Sequence, residues 1–369
     1  MSDIIRKDFS ELLQQRFQRG EIDRRSMLKA LALLGASTMT LRAGLAKAAE
    51  RTLVLANYGG EGAQAMDKFF AAPFTAATGI AVKDDTSGPS EGTIRVQAES
   101  GKVNWDVVDT DPFIAKSLGE KGYIRPVDYN IVSKDNLREG EATKYQVTAF
   151  SVGHVLIYDK TKYGDNPPRT WADFWDVKKY PGKRTFSKWM HGVLEAALMA
   201  QGAAYKDIYP IDTKRALAKV KELMPDVSAV YSSGAESQQI MLDHEASMGI
   251  LWSSRAALVA RDDPDFEIYF PGGFVMHDSW VVMENNPAGA EAGMKFIAAA
   301  QDPKAQVEFF KAIYAAPANP AAAKLIPAEL RHYNVTDPEI FATMHALDID
   351  WYAQNYASVL EQFQSTIAS

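Results

Sequence analysis

The 369-residue sequence contains no cysteine. That absence excludes disulfides, thiolate zinc sites, iron–sulfur clusters and cysteine nucleophiles. It also excludes a lipid anchor on an N-terminal cysteine. Long apolar runs are missing as well: no stretch reaches the ~20 residues that cross a bilayer as a helix. Positive charge is not in excess. Lys and Arg number 40 against 47 Asp and Glu, a formal net charge of −7, which argues against nucleic acid as a partner because phosphates need a basic face. There is no G-x-S-x-G elbow, no H-E-x-x-H and no Walker-type phosphate loop. The six histidines, His154, His191, His244, His277, His332 and His345, lack ligand spacing. No catalytic residue, metal ligand or cofactor is therefore assigned. No period of 20–50 residues recurs, so the chain is not a solenoid.

What is present is a globular composition, 47% hydrophobic, with length enough for two domains or one two-lobed unit. Residues 1–48 read as an export signal. A polar, charged lead-in precedes Asp23-Arg24-Arg25-Ser26-Met27-Leu28-Lys29; a weak apolar run covers residues 30–41, and Ala46-Lys47-Ala48 forms a small-x-small cleavage site. The paired arginines resemble the twin-arginine signal of bacteria. The mature chain then starts near Ala49, free in the periplasm. Residues 1–48 hold 9 Lys and Arg and 5 Asp and Glu, which leaves 31 basic and 42 acidic residues in the mature chain.

Beyond the signal, short β-rich runs alternate with helical segments. Residues 52–56, 80–82, 106–109, 184–186, 229–231, 247–252 and 280–283 read as strands, and residues 147–158 as a long extended stretch. Helices are expected over 61–78, with Pro73 a kink or break, and over 90–100 behind an N-cap at Ser90. Others cover 113–120, 171–175, 194–201, 213–224 and 235–243, and helices dominate from Pro287. This rhythm predicts an α/β fold with a mainly parallel sheet in two lobes. Ligands of such sheets bind at the C-terminal ends of the strands, so the loops there are the places to look.

Two readings compete at the first of these loops. Gly60-Glu61-Gly62-Ala63-Gln64-Ala65 matches the G-x-G-x-x-A dinucleotide fingerprint, with Asp84 and Asp85 about 20 residues on. It makes an exported NAD(P)-dependent oxidoreductase the alternative function. The other reading is a glycine-rich ligand loop. It draws on a set of aromatics and carboxylates at strand ends: Tyr58, Asp109, Asp111, Trp189, Trp252, Asp278 and Trp280. Aromatic faces attract organic cations by about 0.5–2 kcal/mol each, and a buried carboxylate needs a cationic or hydrogen-bonding partner. Together they describe a cleft for a small amine-bearing solute. Taken singly, each tryptophan also suits a core, and Asp109 or Asp111 also suits a helix cap.

Four stretches carry a family resemblance across the mature chain. They are Asn104-Trp105-Asp106-Val107-Val108-Asp109 with Gly122-Tyr123-Ile124-Arg125-Pro126 after it; Trp171-Ala172-Asp173-Phe174-Trp175-Asp176 with Pro181-Gly182-Lys183-Arg184; Ser232-Ser233-Gly234-Ala235 leading to Gly249-Ile250-Leu251-Trp252; and Pro271-Gly272-Gly273 with Asp278-Ser279-Trp280. The chain resembles the spermidine/putrescine-binding family of ABC-importer solute-binding proteins, type II periplasmic binding proteins. That resemblance implies two α/β lobes, a ligand cleft between them, and closure about two crossing segments near 147–158 and 266–279. It implies a non-enzymatic monomeric receptor with an inner-membrane ABC permease as partner. The lobes would comprise 49–150 with a return over 271–369, and 151–270. By position, Asp278 matches the family's amine-binding acid, Trp252 an aromatic wall and Tyr58 the first-loop aromatic. The loop departs from polyamine binders at Gly59-Gly60-Glu61, and Met276 stands where an aromatic is expected. One ammonium end rather than several follows, with backbone N–H groups at Gly59, Gly60 and Ser87 free to hold an acid group. A polyamine such as putrescine competes with a zwitterionic ω-amino acid or aminoalkylphosphonate.

Overall fold

The computed structural model describes residues 52–369, so the export signal lies outside the described residues. Local chemistry accounts for most element boundaries. Strand β1 (Thr52–Ala56) leads through Gly59 and Gly60, both at positive φ, into α1 (Gly60–Met66). The helix does not break at Pro73. A π-helical turn over Asp67–Ala71 joins α1 to α2 (Ala72–Thr78), so the proline's missing donor falls where the ladder has already widened. Strand β2 (Ala81–Asp85) follows, then α3 (Glu91–Ser100), whose cap Ser90 accepts from the Thr93 amide at 3.1 Å. Next come β3 (Val107–Thr110), α4 (Pro112–Glu120) and the long β4 (Val147–Asp159).

The short α5 (Trp171–Trp175) is set by a reciprocal capping box between Thr170 and Asp173. Strand β5 (Arg184–Ser187), α6 (Val193–Met199), α7 (Thr213–Leu223), β6 (Val227–Tyr231), α8 (Gly234–Leu242), β7 (Met248–Trp252) and α9 (Ser253–Asp262) continue the alternation. Along α7, Ala216, Val220 and Leu223 form the buried face expected from their spacing. Then come β8 (Phe266–Val282), α10 (Ala290–Ala300), α11 (Pro303–Ile313), β9 (Ala316–Pro317), α12 (Pro320–Ala323), α13 (Pro338–Phe341), β10 (His345–Ala346) and α14 (Ile349–Ile367).

The strands form one sheet in the order β2-β1-β3-β8-β4-β7-β5-β6, with β10 on β8 and β9 on β4. This corrects the expectation of a mainly parallel sheet. Pairs are parallel at the two ends (β1 with β2 and β3, β5 with β6 and β7) and antiparallel through the centre (β3–β8, β8–β4, β4–β7). The cause is the two long strands, which serve both ends and run against their neighbours. Strand β8 covers 17 residues because Pro271-Gly272-Gly273, turn chemistry in sequence, carries it onward. Gly272 takes φ +76°, and a Cβ on Gly273 would sit 2.8 Å from the His154 carbonyl oxygen. Only glycine lets the strands approach so closely there. Register shifts break the β4–β8 ladder between Thr148 and Phe150 and again between His154 and Leu156.

Trp280 is not a loop aromatic. It is 2% exposed in the main core, edge-on to Phe70 and Phe296 at ring-centroid distances of 6.4 and 5.8 Å. Its neighbour Trp105 is equally buried and donates from its indole to Asp85 at 2.7 Å.

The turn before α6 is packed onto β4. Gly192 takes φ +78°, and a Cβ there would lie 2.6 Å from His154 Cγ. Gly192→Ala therefore combines a left-handed backbone with an overpacked contact, and should cost about 2–4 kcal/mol. Calorimetric unfolding measures this; a variant as stable as the parent would contradict the packing described.

Candidate functional site

The C-terminal ends of the strands open into one cavity of about 910 Å³. From one end of the sheet it receives the β1–α1 loop (Tyr58, Gly59, Gly60), the β2–α3 loop (Ser87 to Ser90) and the β3–α4 junction (Asp109, Asp111). The other end supplies Lys188, Trp189 and His191 after β5, Ser232 to Gly234 after β6, and Trp252, Ser254 and Arg255 after β7. The long strands form the floor with Phe150, Met276 and Asp278, and α14 adds Tyr356. Apart from Trp280, the residues singled out in sequence, Tyr58, Gly59, Gly60, Ser87, Asp109, Asp111, Trp189, Trp252 and Asp278, all line this one cavity.

The β3–β8 pairing explains how two of the acids meet. Asp109 is opposite Trp280 and Thr110 opposite Ser279. The next step along the ladder brings Asp111 beside Asp278 on the face that Asp109 shares. Asp111 occupies the N-cap position of α4 yet makes no capping hydrogen bond, so its carboxylate is left for the cavity. Burial, followed by the Asp111 charge, pushes the Asp109 carboxyl up to about 8. Burial alone raises Asp111 to about 7. Asp278 is driven well above the usual carboxylate range by burial, then by Asp109 and Asp111. Three carboxyls in one enclosed space cannot all ionise without a counter-cation. Tyr58 stands over them. About half of it is exposed, its hydroxyl donates to the Pro89 carbonyl at 3.0 Å, and its pKa is raised by burial and then by Asp111, Asp109 and Asp278.

Arg255, in the first turn of α9, was not singled out in the sequence. Its guanidinium lies along Gly234, where a Cβ would come within 2.3 Å of Nε, and its Nη2 is 3.9 Å from a Cβ position on Gly62. It therefore sits where the two ends of the sheet face each other. Burial lowers its pKa and the charge of Glu61 partly restores it. Among the described residues it has no hydrogen-bond or ion-pair partner. The one sequence cue is its position, three residues after Trp252 and one turn beyond a strand's C-terminal end, which does not by itself separate it from a solvated basic residue.

At the cavity wall His191 meets His154, which lies behind it, edge to face at 4.9 Å. Burial holds His191 down to about 4 and lowers His154 further, with His191 adding to the effect. They are neutral at ordinary pH. Below them Glu195 accepts from the Gly192 amide at 2.9 Å and from the Tyr209 and Tyr352 hydroxyls at 2.6 Å each, tying α6 to α14. His277 points away from Asp278, as alternation requires, and bonds Ser151 at 2.7 Å.

The dinucleotide fingerprint loses its acid. Asp84 accepts from Asn57 Nδ2 at 2.9 Å, and Asp85 is bonded to Trp105 and to the Ser87 amide. Neither carboxylate is left to hold a ribose.

A mixed α/β sheet whose two ends face a shared cleft defines the two-lobed class of periplasmic binding proteins. Residues 70–342 match the family model described as bacterial extracellular solute-binding protein, and the chain belongs to that family. It is similar to the gamma-aminobutyric acid-binding protein of Pseudomonas aeruginosa, 26% identical over 332 residues that cover 88% of this chain and 94% of the relative. The spermidine/putrescine-binding periplasmic protein of Escherichia coli is 23% identical over 277 residues, 72% of this chain and 78% of the relative. A solved GABA receptor structure superimposes with a TM-score of 0.79 at 30% identity, covering 86% of this chain and 98% of the other. The chain is a solute-binding component of an ABC importer, and the oxidoreductase alternative finds no support in these comparisons.

Proposed function

We propose that the protein captures a small zwitterion, a cationic group and an acid separated by a short chain, and hands it to an inner-membrane ABC permease. The observation that carries this reading is the coexistence in one cavity of the acid set Asp109, Asp111 and Asp278 with Arg255, which has no hydrogen-bond partner among the described residues and feels only the charge of Glu61. A polyamine would meet its carboxylates there but would also meet a half-buried guanidinium, at a cost in repulsion and desolvation. A zwitterion satisfies both ends. Its cation docks on Asp278 and its neighbours, between the aromatic surfaces of Tyr58, Trp189 and Trp252. Its acid docks on Arg255, helped by the amides of Gly59, Gly60 and Ser87 and by the N-terminus of α8. The GABA-binding relatives agree with this choice over the polyamine-binding one.

In this reading one lobe comprises 49–150 and 271–369 and the other 151–270, and they close by bending β4 and β8. The mature monomer is exported by the twin-arginine route to the periplasm. Tyr58, Gly59, Gly60, Ser87, Asp109, Asp111, Trp189, Trp252 and Asp278 contact the ligand.

A thermal-shift and calorimetry panel of 4-aminobutanoate, 5-aminopentanoate, putrescine and butanoate tests it. The ω-amino acids should raise Tm and bind, and putrescine and butanoate should not. Tighter binding of putrescine than of either ω-amino acid would sink the zwitterion reading. Gly234→Ala gives an independent check. The new methyl meets the Arg255 side chain rather than backbone, so Tm should stay within about 2 °C. Affinity for the acid-bearing ligand should fall about tenfold, the loss of one imperfect charge-assisted contact. Unaltered affinity would remove Arg255 from the site.

A further inference from the structure

The protein treats its buried acids in two ways. Asp106 accepts from the Val54 amide at 2.7 Å, from Asn286 Nδ2 at 2.8 Å and from the Ala288 amide at 2.6 Å. Glu195 has three donors, named above. Asp109, Asp111 and Asp278 have no donor among the described residues, and Asp109 Oδ1 is fully enclosed with no partner. Buried carboxylates elsewhere in this fold are satisfied internally, so three acids without a protein donor around one cavity, with Asp109 Oδ1 fully enclosed and Asp278 half-buried, mark a place where donors arrive from outside. One acid is enough for a primary ammonium. Three are not explained by it.

We infer that the cationic end of the ligand is a guanidinium, so that the transported solute class is guanidino acids. The inference rests on the zwitterion reading and sharpens it. Asp109 and Asp111 are i and i+2 on β3 and its extension, roughly 7 Å apart along the strand. Asp278 lies across the ladder from Asp111, roughly 5 Å away. By backbone spacing the three acids thus stand in an L-shaped arrangement. An ammonium offers three N–H bonds from a single point, so all its acceptors must converge on one nitrogen. A guanidinium offers five N–H donors in one plane, spread over three nitrogens, and engages carboxylates through parallel paired bonds. Its flat face stacks on aromatic rings, and Tyr58, Trp189 and Trp252 all line the cavity. The acid at the other end of the molecule goes to Arg255, as before.

The test uses the mature protein and isothermal calorimetry with four probes: 4-guanidinobutanoate, 4-aminobutanoate, butylguanidine and butanoate, with the three- and five-carbon homologues of the first two. The best guanidino acid should bind at least tenfold tighter than the best amino acid. In Asp109→Asn and Asp111→Asn that ratio should fall toward one, because the amide cannot accept from the extra N–H groups as a charged acid does. Both variants remove a buried acid and should fold; a thermal melt confirms it before titration. An amino acid that binds as tightly as the guanidino acid overturns the inference and leaves the zwitterion reading standing. An unchanged ratio in both variants likewise overturns it. Butylguanidine binding as tightly as the guanidino acid would instead overturn the zwitterion reading, since Arg255 would then have no task.

Discussion

Replacing Asp278 by Asn should weaken ligand binding about 30-fold or more while making the ligand-free protein more stable at alkaline pH. The two effects have one cause. Asp278 shares an enclosed cavity with Asp109 and Asp111 and is raised well above its ordinary range by burial and by their charge. A carboxyl whose folded pKa exceeds its unfolded value contributes stability fully below the unfolded value, near 3.9, and loses it as pH rises through the folded pKa. For Asp111 and Asp109 that window extends to about 7 and about 8. The empty receptor is therefore destabilised by its own site between about pH 4 and 8. Removing one acid removes part of that repulsion, and Tm at pH 8 should rise by about 2–5 °C, with little change at pH 4. Binding moves the other way. Truncating one partner of a buried charge pair costs about 2–5 kcal/mol, which is roughly 30- to 3000-fold in Kd. Calorimetric titration and melts at both pH values measure the two together. A variant that loses stability at pH 8, or that keeps full affinity, would show that Asp278 is a structural acid.

The second large effect is on pH. The ligand-free acids hold protons that the incoming cation expels, so affinity should strengthen as pH rises from about 5.5 to 8 and level off above the highest folded pKa. The slope is bounded at about tenfold per pH unit for each proton released. Arg255 stays charged throughout, and His191 and His154 are held too low to titrate in this window. The slope thus reports the acids alone. Titrations in buffers of different ionisation enthalpy give the number of protons released directly. Affinity that peaks at pH 5.5, or binding with no proton release, would rule out a shared-proton acid set. In Asp109→Asn the slope should be shallower.

Much of the fold could be read from the chain because the signals were local. Ser90 before Glu91, Thr170 three residues before Asp173, and the spacing of Ala216, Val220 and Leu223 each fix one element by short-range chemistry. What failed was long-range. Nothing in residues 147–158 reveals that they pair antiparallel on both sides. Pro271-Gly272-Gly273 is turn chemistry everywhere except where a strand must pass close beneath another. Trp280 and Trp252 are both aromatics near strand ends, yet one faces Phe70 and Phe296 and the other the cleft. The difference is set by register, which no short window encodes. The acids were legible because a carboxylate at a strand end has few structural uses. Arg255 was not, since an arginine in the first turn of a helix looks like any solvated basic residue until Gly234 and Gly62 are seen to make room for it.

The continuous pairing of strands from β2 through β8 and β4 to β6, interrupted only by two register shifts, has a mechanical consequence. A joint made of loops swings freely, whereas two long paired strands behave as a leaf spring. Any relative rotation of the sheet's ends must be absorbed at the two slips in the β4–β8 register, beside Phe150 and His154. Motion concentrated at those slips would store elastic work rather than dissipate it. The floor of the cavity, Phe150 and Asp278, is built at one of them, so a closing of the kind proposed above would bend the sheet directly beneath the ligand. Stiffening that slip would change how fast a solute is let go before it changed how well one is held.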